Sequence, residues 1–191
     1  MLLRGCGSAT PSRSISNQEL GQRVETSDEW IRSRTGIGAR HVVGVDESLG
    51  EICCQASERA LAMAGWDASS LDLILLATST PDDLFGSAPR LQARIGAGNA
   101  VAFDITAACS GFLFALVTAS QYLRTGAMKR VLVVGADQLS RWVDWDDRRS
   151  CVLFGDAAAA VVLEASDDGQ DDLRGFLLRS DGSRGEVLQL P

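Results

Sequence analysis

Cys109 is the residue of this sequence whose type and position best suit nucleophilic chemistry. The apolar run from Val101 to Ile105 predicts a buried strand, and the apolar face from Ser110 to Arg124 predicts a helix. Cys109 therefore falls in the turn between them, where free amide groups and the positive end of a helix dipole favour a thiolate. From its position alone, Cys109 could also be a packed hydrophobic residue without catalytic function, because thiol reactivity depends on the surroundings.

The other four cysteines lie where a cysteine usually behaves as a small hydrophobe. Cys53 and Cys54 fall in the middle of a predicted helix, Cys6 in a glycine turn at a strand end, and Cys151 at a strand start. Five cysteines are an odd number, they lack a C-x-x-C spacing, and His41 is the single histidine. The sequence therefore predicts neither disulfides nor a structural zinc site.

Strands and helices alternate around Cys109, which predicts an α/β fold. The helix from Ser48 to Ala64 begins with a Ser48-x-x-Glu51 capping box and stops at Gly65. Nearly continuous apolar runs predict buried strands at Leu2 to Gly7, Leu71 to Thr78, Val101 to Ile105 and Val131 to Ala136. Later runs extend the pattern at Cys151 to Phe154, Ala157 to Leu163 and Leu173 to Arg179.

Length, composition and charge exclude several classes of protein. With 191 residues, 46% hydrophobic and 23% charged, the chain is expected to form one globular domain. A formal charge of -7 disfavours nucleic acids and anionic lipid surfaces as partners. No apolar run approaches the roughly 20 residues of a membrane span, and the first residues do not read as a signal peptide. We therefore expect a cytoplasmic protein without a membrane partner.

Several motifs resemble those of the β-ketoacyl-acyl-carrier-protein synthase III family, in the same order along residues 1–191. Residues 105–112 (ITAACSGF) are similar to its nucleophile segment. Residues 26–31 (TSDEWI) and 34–37 (RTGI) are similar to the region through which coenzyme A enters. Further similar motifs are Gly5-x-Gly7-Ser8-x-x-Pro11, Phe154-Gly155-Asp156 and Asp181-Gly182-Ser183.

The resemblance implies both a fold and an activity. The fold is thiolase-like, a mixed and largely parallel sheet flanked by helices, and residues 1–191 would form its amino-terminal half. Members of this family take an acyl group, usually acetyl, from coenzyme A onto a cysteine, which is covalent catalysis. They then condense it with malonyl-acyl-carrier-protein, with loss of carbon dioxide, to a 3-ketoacyl product. The implied partners are acyl-CoA as substrate, malonyl-acyl-carrier-protein and a second copy of the chain, with no cofactor.

The resemblance also assigns roles to individual residues. Cys109 matches the acyl acceptor, and its own amide would belong to the oxyanion hole. The other matched positions are Trp30 and Arg148 around the adenine ring, Thr26 and Arg34 near the same nucleotide, Leu139, Phe154 and Leu188 in the acyl pocket, and Phe85 across the dimer interface. By residue type alone, Trp30 is more simply a half-buried helix anchor, Arg148 a solvated charge, and the Leu and Phe residues ordinary core.

The sequence departs from the family pattern in two ways, and other interpretations stay open. The catalytic histidine and asparagine of the family belong to its carboxyl-terminal half, and His41, expected on the surface or in a loop, does not replace them. Ala157 to Ala160 stand where the family usually has Gly-Ala-Gly-Ala. The alternatives are a non-catalytic module that binds coenzyme A or pairs with another subunit, a related thiolase-superfamily synthase, and a half that folds poorly on its own.

Overall fold

Seven strands and six α-helices lie along residues 1–187, the part of the chain that this computed structural model describes. The strands are β1 (Leu2–Ala9), β2 (Arg13–Ser16), β3 (Ala39–Val42), β4 (Leu73–Ala77), β5 (Val101–Ile105), β6 (Arg130–Gln138) and β7 (Asp156–Glu164). The helices are α1 (Asn17–Leu20), α2 (Asp28–Thr35), α3 (Leu49–Ala64), α4 (Ala88–Arg94), α5 (Gly111–Arg124) and α6 (Arg148–Cys151).

Five of these strands form one mixed sheet in the order β1-β7-β6-β4-β5. Strand β4 runs parallel to both β5 and β6, whereas β7 runs antiparallel to both β6 and β1. Strands β2 and β3 pair separately as an antiparallel hairpin. The predicted fold class, an α/β fold with a mixed sheet flanked by helices, is confirmed.

The centre of the sheet is dry because both of its faces are covered. Every residue of β4 is buried, as expected for a parallel strand between two helical layers. Ile74 and Leu76 pack into the core on the α3 and α4 side, whereas Leu73 and Leu75 pack into the core on the α5 side. Alternation along one strand thus joins two hydrophobic cores through the sheet.

Helix α3 begins and ends where its sequence signals predict. The Ser48 hydroxyl accepts a hydrogen bond from the Glu51 amide at 3.2 Å, and Gly65 ends the helix in the left-handed conformation at φ 68°. The helix lies directly on β1, where Gly5 and Gly7 leave no side chain between strand and helix backbone. This close approach is the reason that the amino-terminal strand is rich in glycine.

Two predicted strands are wrong, and Cys151 is misplaced with one of them. Cys151 ends helix α6 instead of starting a strand, because the Asp147 carboxylate accepts from the Arg149 amide at 2.9 Å and starts a helical turn. Cys151 and Val152 of that apolar run are buried, whereas Leu153 is 48% exposed. The segment Leu173 to Arg179 has no regular structure, with Phe176 50% exposed and no strand paired to it.

The position predicted for Cys6 is also wrong. It lies inside β1, paired with Val161 of β7, and not in a turn at the strand end. The strand continues through Gly7 to Ala9 because small residues are what the adjacent helix α3 admits.

A third, smaller core holds helices α1, α2 and α6 beside the main sheet. Its fully buried members are Leu20, Ile31, Cys151 and Val152. Trp30 and Trp145 pack against it from the rim. The segments that carry the predicted nucleotide-binding residues therefore rest on a core of their own.

Gly7→Ala tests the close packing of β1 on α3. A Cβ there would overlap the Ala56 carbonyl oxygen and lie 2.6 Å from the Ala60 nitrogen. We expect the free energy of unfolding to fall by about 1–3 kcal/mol, as for other overpacked sites, in urea titrations followed by tryptophan fluorescence. The control is Gly98→Ala, where an added Cβ meets nothing within 4 Å. Equal stability of both variants would show that β1 and α3 separate easily.

Candidate functional site

Cys109 lies exposed in the turn that leads from β5 into α5. Residues 108–110 form one short 3₁₀ turn, and its first internal bond runs from the Ser110 amide to the Ala107 carbonyl at 3.1 Å. The Cys109 amide precedes that first bonded donor, so it belongs to the amides at the helix start that lack an internal partner. The thiol therefore sits beside backbone donors at the amino end of a 14-residue helix.

The residue before the cysteine is strained. Ala108 has φ 45°, and it is the one non-glycine residue with positive φ among residues 1–187. Such a conformation costs of order 1–3 kcal/mol and persists only where the surroundings hold it. Here β5, a strand of the central sheet, and α5, which packs on that sheet, fix the two ends of the turn. The strain is therefore concentrated next to the candidate nucleophile.

Burial separates Cys109 from most of the other cysteines. Cys53 and Cys151 are buried, and burial raises the pKa of the Cys53 thiol to about 12. Burial also raises the pKa of the Cys54 and Cys151 thiols. Cys6 is exposed but lies in a strand, with its Sγ 3.8 Å from the Met63 Sδ. Only Cys109 combines exposure with a helix start.

Trp30, Arg34 and Arg148 are brought together at the surface of the small core. The Arg34 guanidinium carbon lies 4.6 Å from the centroid of the Trp30 ring, and that of Arg148 lies 4.5 Å from it. The Arg148 Nη1 also donates to the Glu25 carbonyl at 3.0 Å. Arg148 is thus exposed, as its residue type suggests, but is engaged by two groups.

Helix α2 holds Trp30 in this position through its amino-terminal cap. The Ser27 hydroxyl accepts from the Trp30 amide at 3.1 Å, and Gly36 ends the helix at φ 76°. Thr26 directly precedes the cap. Its Oγ1 is shielded from solvent and has no hydrogen-bond partner among residues 1–187, an unpaired state that costs free energy.

Leu139 and Phe154 flank the same end of the sheet as the candidate nucleophile. Leu139 directly follows β6 and Phe154 comes two residues before β7, and the strand residues nearest to them, Gln138 and Asp156, are paired in the ladder. Both Leu139 and Phe154 are partly buried. Because β5 and β6 both run parallel to β4, Cys109 after β5 lies at this same edge. Leu188 lies outside the described residues.

Phe85 stands out from the loop between β4 and α4 and is 91% exposed. Its loop borders a cleft of about 560 Å³ that also contacts Phe103 and Asp104 of β5. The Asp104 carboxylate fastens the end of the loop, because it accepts from the Ser87 and Ala88 amides at 2.8 and 2.7 Å. Phe85 is therefore presented at the open edge of the sheet.

Two carboxylates, one buried and one partly buried, support this end of the sheet and were not predicted. Asp156, 3% exposed, accepts from the Ser140 amide at 2.9 Å and from the Val43 amide at 2.7 Å. The Asp137 Oδ1 accepts from the Ser79 amide at 2.7 Å. The sequence signal for them was an acidic residue at the end of an apolar strand. Asp137 lies near the end of β6 and Asp156 begins β7, and side chains at such positions approach the loops.

His41 and the run Ala157–Ala160, the two features noted as departures from the family pattern, both lie in strands. His41 lies in β3 and not in a loop, with its Nδ1 2.7 Å from the Pro11 carbonyl oxygen. Ala157 to Ala160 lie in the extended strand β7, whose torsions suit any residue. Within residues 1–187, no group of three or more His, Cys, Asp or Glu residues is arranged to hold a metal ion.

Comparisons with known proteins agree on one family. A family model described as 3-oxoacyl-[acyl-carrier-protein] synthase III matches residues 103–182. The β-ketoacyl-[acyl-carrier-protein] synthase III of Prochlorococcus marinus strain MIT 9313 is 72% identical over 189 residues, which are 99% of this chain and 56% of that protein. The enzyme of Synechococcus sp. strain WH7803 is 70% identical over the same shares of both chains. The chain thus spans just over half the length of these relatives.

Solved structures give the same answer for the fold. The 3-oxoacyl-(acyl carrier protein) synthase III of Pseudomonas aeruginosa PAO1 superposes with a TM-score of 0.92 at 40% identity, over 100% of this chain and 60% of that one. The Thermus thermophilus enzyme superposes with a TM-score of 0.90 at 36% identity, over 97% and 58%. These matches define the thiolase-like fold of the condensing enzymes. Within that class, the chain belongs to the β-ketoacyl-acyl-carrier-protein synthase III family.

None of the helices in residues 1–187 is both long enough and apolar enough to pass through a bilayer.

Alkylation with iodoacetamide at about pH 8 tests which thiols the fold leaves reactive. We expect Cys109 and Cys6 to be labelled, whereas Cys53, with its pKa raised to about 12, stays protonated and unmodified. Peptide mapping by mass spectrometry reads out each site. In denaturing urea, all five cysteines are expected to react. Labelling of Cys53 as fast as Cys6 in the folded protein would contradict the buried position.

Proposed function

We propose that this chain is the amino-terminal, acyl-accepting half of a β-ketoacyl-acyl-carrier-protein synthase III. The observation that supports it best is the exposed Cys109 at a strained strand-to-helix turn, in a chain of that family. The relatives named above carry this activity in their names, and the chain spans 56% of their length. In this proposal, residues 1–191 load the acyl group that starts fatty-acid synthesis.

Acyl loading is a thioester exchange at Cys109. The thiolate attacks the carbonyl carbon of acyl-CoA, a carbon–sulfur bond forms, and the carbonyl oxygen becomes an oxyanion. The Cys109 amide is our candidate donor to that oxyanion, because it precedes the first bonded amide of the turn. Collapse of the intermediate breaks the bond to coenzyme A, which leaves as a thiolate and takes up a proton. An acyl-enzyme remains.

The nucleotide of coenzyme A would bind at Trp30. Arg148 and Arg34 both lie against that ring, so a flat aromatic surface for adenine and two cations near the nucleotide are already together. An adenine ring between Trp30 and Arg148 requires the guanidinium to move outward by about one ring thickness, ~3.5 Å. The unpartnered Thr26 hydroxyl beside the cap of α2 is a candidate hydrogen-bonding group for the same nucleotide.

The acyl chain would lie between Leu139 and Phe154. Both side chains are partly buried at the sheet edge that also carries Cys109. The buried Asp156 carboxylate accepts from the Ser140 amide and hydroxyl, which would hold the Leu139 turn in place beside the acyl chain. Leu188 is proposed to complete it from the family motif alone.

Condensation would complete the reaction with groups from the family's carboxyl-terminal half. There, a histidine and an asparagine donate hydrogen bonds to the thioester carbonyl of malonyl-acyl-carrier-protein. Loss of carbon dioxide gives an enolate, which attacks the acyl-Cys109 carbonyl carbon; the new carbon–carbon bond forms and the Cys109 thiolate is released. The scheme uses acyl-CoA as a substrate and no cofactor. A catalytic thiol has to stay reduced, which favours the cytoplasm as the proposed location.

A second copy of the chain would cover the β5 edge. Strand β5 ends the sheet, so its outer backbone groups are available for pairing. Leu84 and Phe85, each 91% exposed, stand beside this edge as the kind of apolar anchors that subunit interfaces bury. The proposed homodimer thus places Phe85 against the neighbouring subunit.

Phe85→Ser tests the dimer by sedimentation velocity. Loss of the anchor should shift the protein from dimer to monomer at low micromolar concentration, because interface aromatics often contribute about 2 kcal/mol or more. Val45→Ser is the matched control, since Val45 is a fully exposed hydrophobic residue in a different loop. A dimer that withstands Phe85→Ser as well as Val45→Ser would remove this interface from the proposal.

Intact-protein mass after incubation with acetyl-CoA tests the proposed function. We expect one acetyl adduct on the wild-type chain and none on Cys109→Ala. Cys6→Ala is the matched control, because Cys6 is the other exposed thiol, and it should keep the adduct. An adduct that survives in Cys109→Ala would contradict the assignment of the nucleophile. A folded wild-type chain without an adduct would favour a module that only binds coenzyme A or another subunit.

A further inference from the structure

Arg40 is a buried cation that no carboxylate of residues 1–187 contacts directly. It is 4% exposed and lies in β3. Its Nη1 donates to the Ile15 carbonyl at 3.2 Å, and its Nη2 donates to the Asn17 Oδ1 at 2.8 Å and to the Val152 carbonyl at 3.3 Å. Burial lowers the pKa of this guanidinium. A desolvated charge is retained at a cost, so its hydrogen bonds hold their partners firmly.

Asn17 connects the Arg40 guanidinium to the start of helix α2 through hydrogen bonds. It is fully buried, and its Nδ2 donates to the Asp28 Oδ1 and to the Ile37 carbonyl, both at 2.8 Å. Its Oδ1 accepts from Arg40, so all of its polar atoms are engaged. The Asn17 hydrogen bond is the largest cause that lowers the pKa of the Asp28 carboxyl. One amide therefore links a buried cation to a carboxylate.

These hydrogen bonds connect the segments on both sides of Trp30. Asp28 begins α2 and Ile37 follows it, so Asn17 holds both ends of the helix that carries Trp30. Val152 directly follows α6, the helix that begins with Arg148. The Arg40 guanidinium thus bridges from the α2 side to the α6 side of the candidate nucleotide site.

Apolar packing alone defines this region weakly. The small core contains four fully buried apolar residues, fewer than either main core. A small core permits several packings of similar energy, and directional hydrogen bonds select among them. The buried polar junction therefore has to determine how α2 and α6 sit together.

We propose that Arg40 and Asn17 are positioning residues of the nucleotide site. Through Asp28, Ile37 and Val152 they set the distance between the Trp30 ring and the Arg148 guanidinium, while contacting no ligand themselves. The nucleotide as ligand rests on the proposed function; the mechanical link between α2 and α6 does not.

Two acyl donors separate positioning from general loss of stability. Acetyl-CoA carries the nucleotide, and acetyl-pantetheine is a thioester without it. For Arg40→Met, we expect acetylation of Cys109 by subsaturating acetyl-CoA to slow by about tenfold or more, since a displaced binding group costs rate steeply. Acetylation by acetyl-pantetheine should not change. A merely structural role would slow both donors by the same factor.

Asn17→Asp provides a second variant of nearly the same size. It keeps the acceptor for Arg40 but replaces the donor to Asp28 by a second carboxylate, so it should show the same selective loss. The control is Asp72→Asn, which weakens the bonds to the Lys129 and Arg130 amides at the opposite end of the sheet. This control should leave the ratio of the two donor rates unchanged.

Hydrogen exchange tests the link without any substrate. In Arg40→Met, amides of residues 28–35 and 148–151 should exchange faster together, whereas residues 49–64 keep their protection. Uniform loss of protection, or no change in both segments, would overturn the proposal, as would an equal slowing with both donors. A wild-type chain that accepts neither donor would refute the proposed function alone, since the exchange pattern still decides the link.

Discussion

Parallel pairing of β4 with both β5 and β6 is the constraint on which the rest of the structure depends. Ala77 at the end of β4 is in register with Ile105 of β5 and with Gly135 of β6, so the three strands reach the same edge together. Cys109 follows β5 and Leu139 follows β6, so both lie at this same end of the sheet. Burial of β4 on both faces keeps this register, because a shift by one residue would exchange its two core faces.

Three buried or partly buried carboxylates then hold the loops at the ends of these strands. Asp104, Asp137 and Asp156 each accept hydrogen bonds from the backbone of a neighbouring loop. Bonds to a charged group contribute about 1.5–3 kcal/mol each, which is enough to hold a loop in one conformation. The apolar core thus places the strands, and these three side chains place the loops between them.

The sequence predicted the elements whose signals are local. Helix α3 carries its own cap and stop, and four of the five residues of the run Val101–Ile105 are apolar, so both elements were predicted to within one residue. The strand predicted for Leu173–Arg179 is absent, because an apolar segment becomes a strand only where a partner strand is free to pair with it.

Parts of the candidate site depended on information that no local pattern contains. The positive φ of Ala108 could not be predicted from the residue type, since alanine normally avoids that conformation. The contact between Trp30 and Arg148 joins residues far apart in the chain, and only the family motifs indicated it. Arg40 is buried between the β2–β3 hairpin and the small core, which come together only in the folded chain. Its burial could therefore not be predicted from the local sequence.

The placement of the two exposed cysteines at opposite sides of the sheet has a consequence for oxidation. Cys6 lies in β1 and Cys109 follows β5, four strand intervals away, or about 19 Å at the usual strand spacing. A disulfide needs Cα atoms within about 7 Å, so Cys6 does not serve as a resolving thiol for Cys109. If peroxide converts Cys109 to a sulfenic acid, recovery depends on an external thiol such as glutathione, and further oxidation is irreversible.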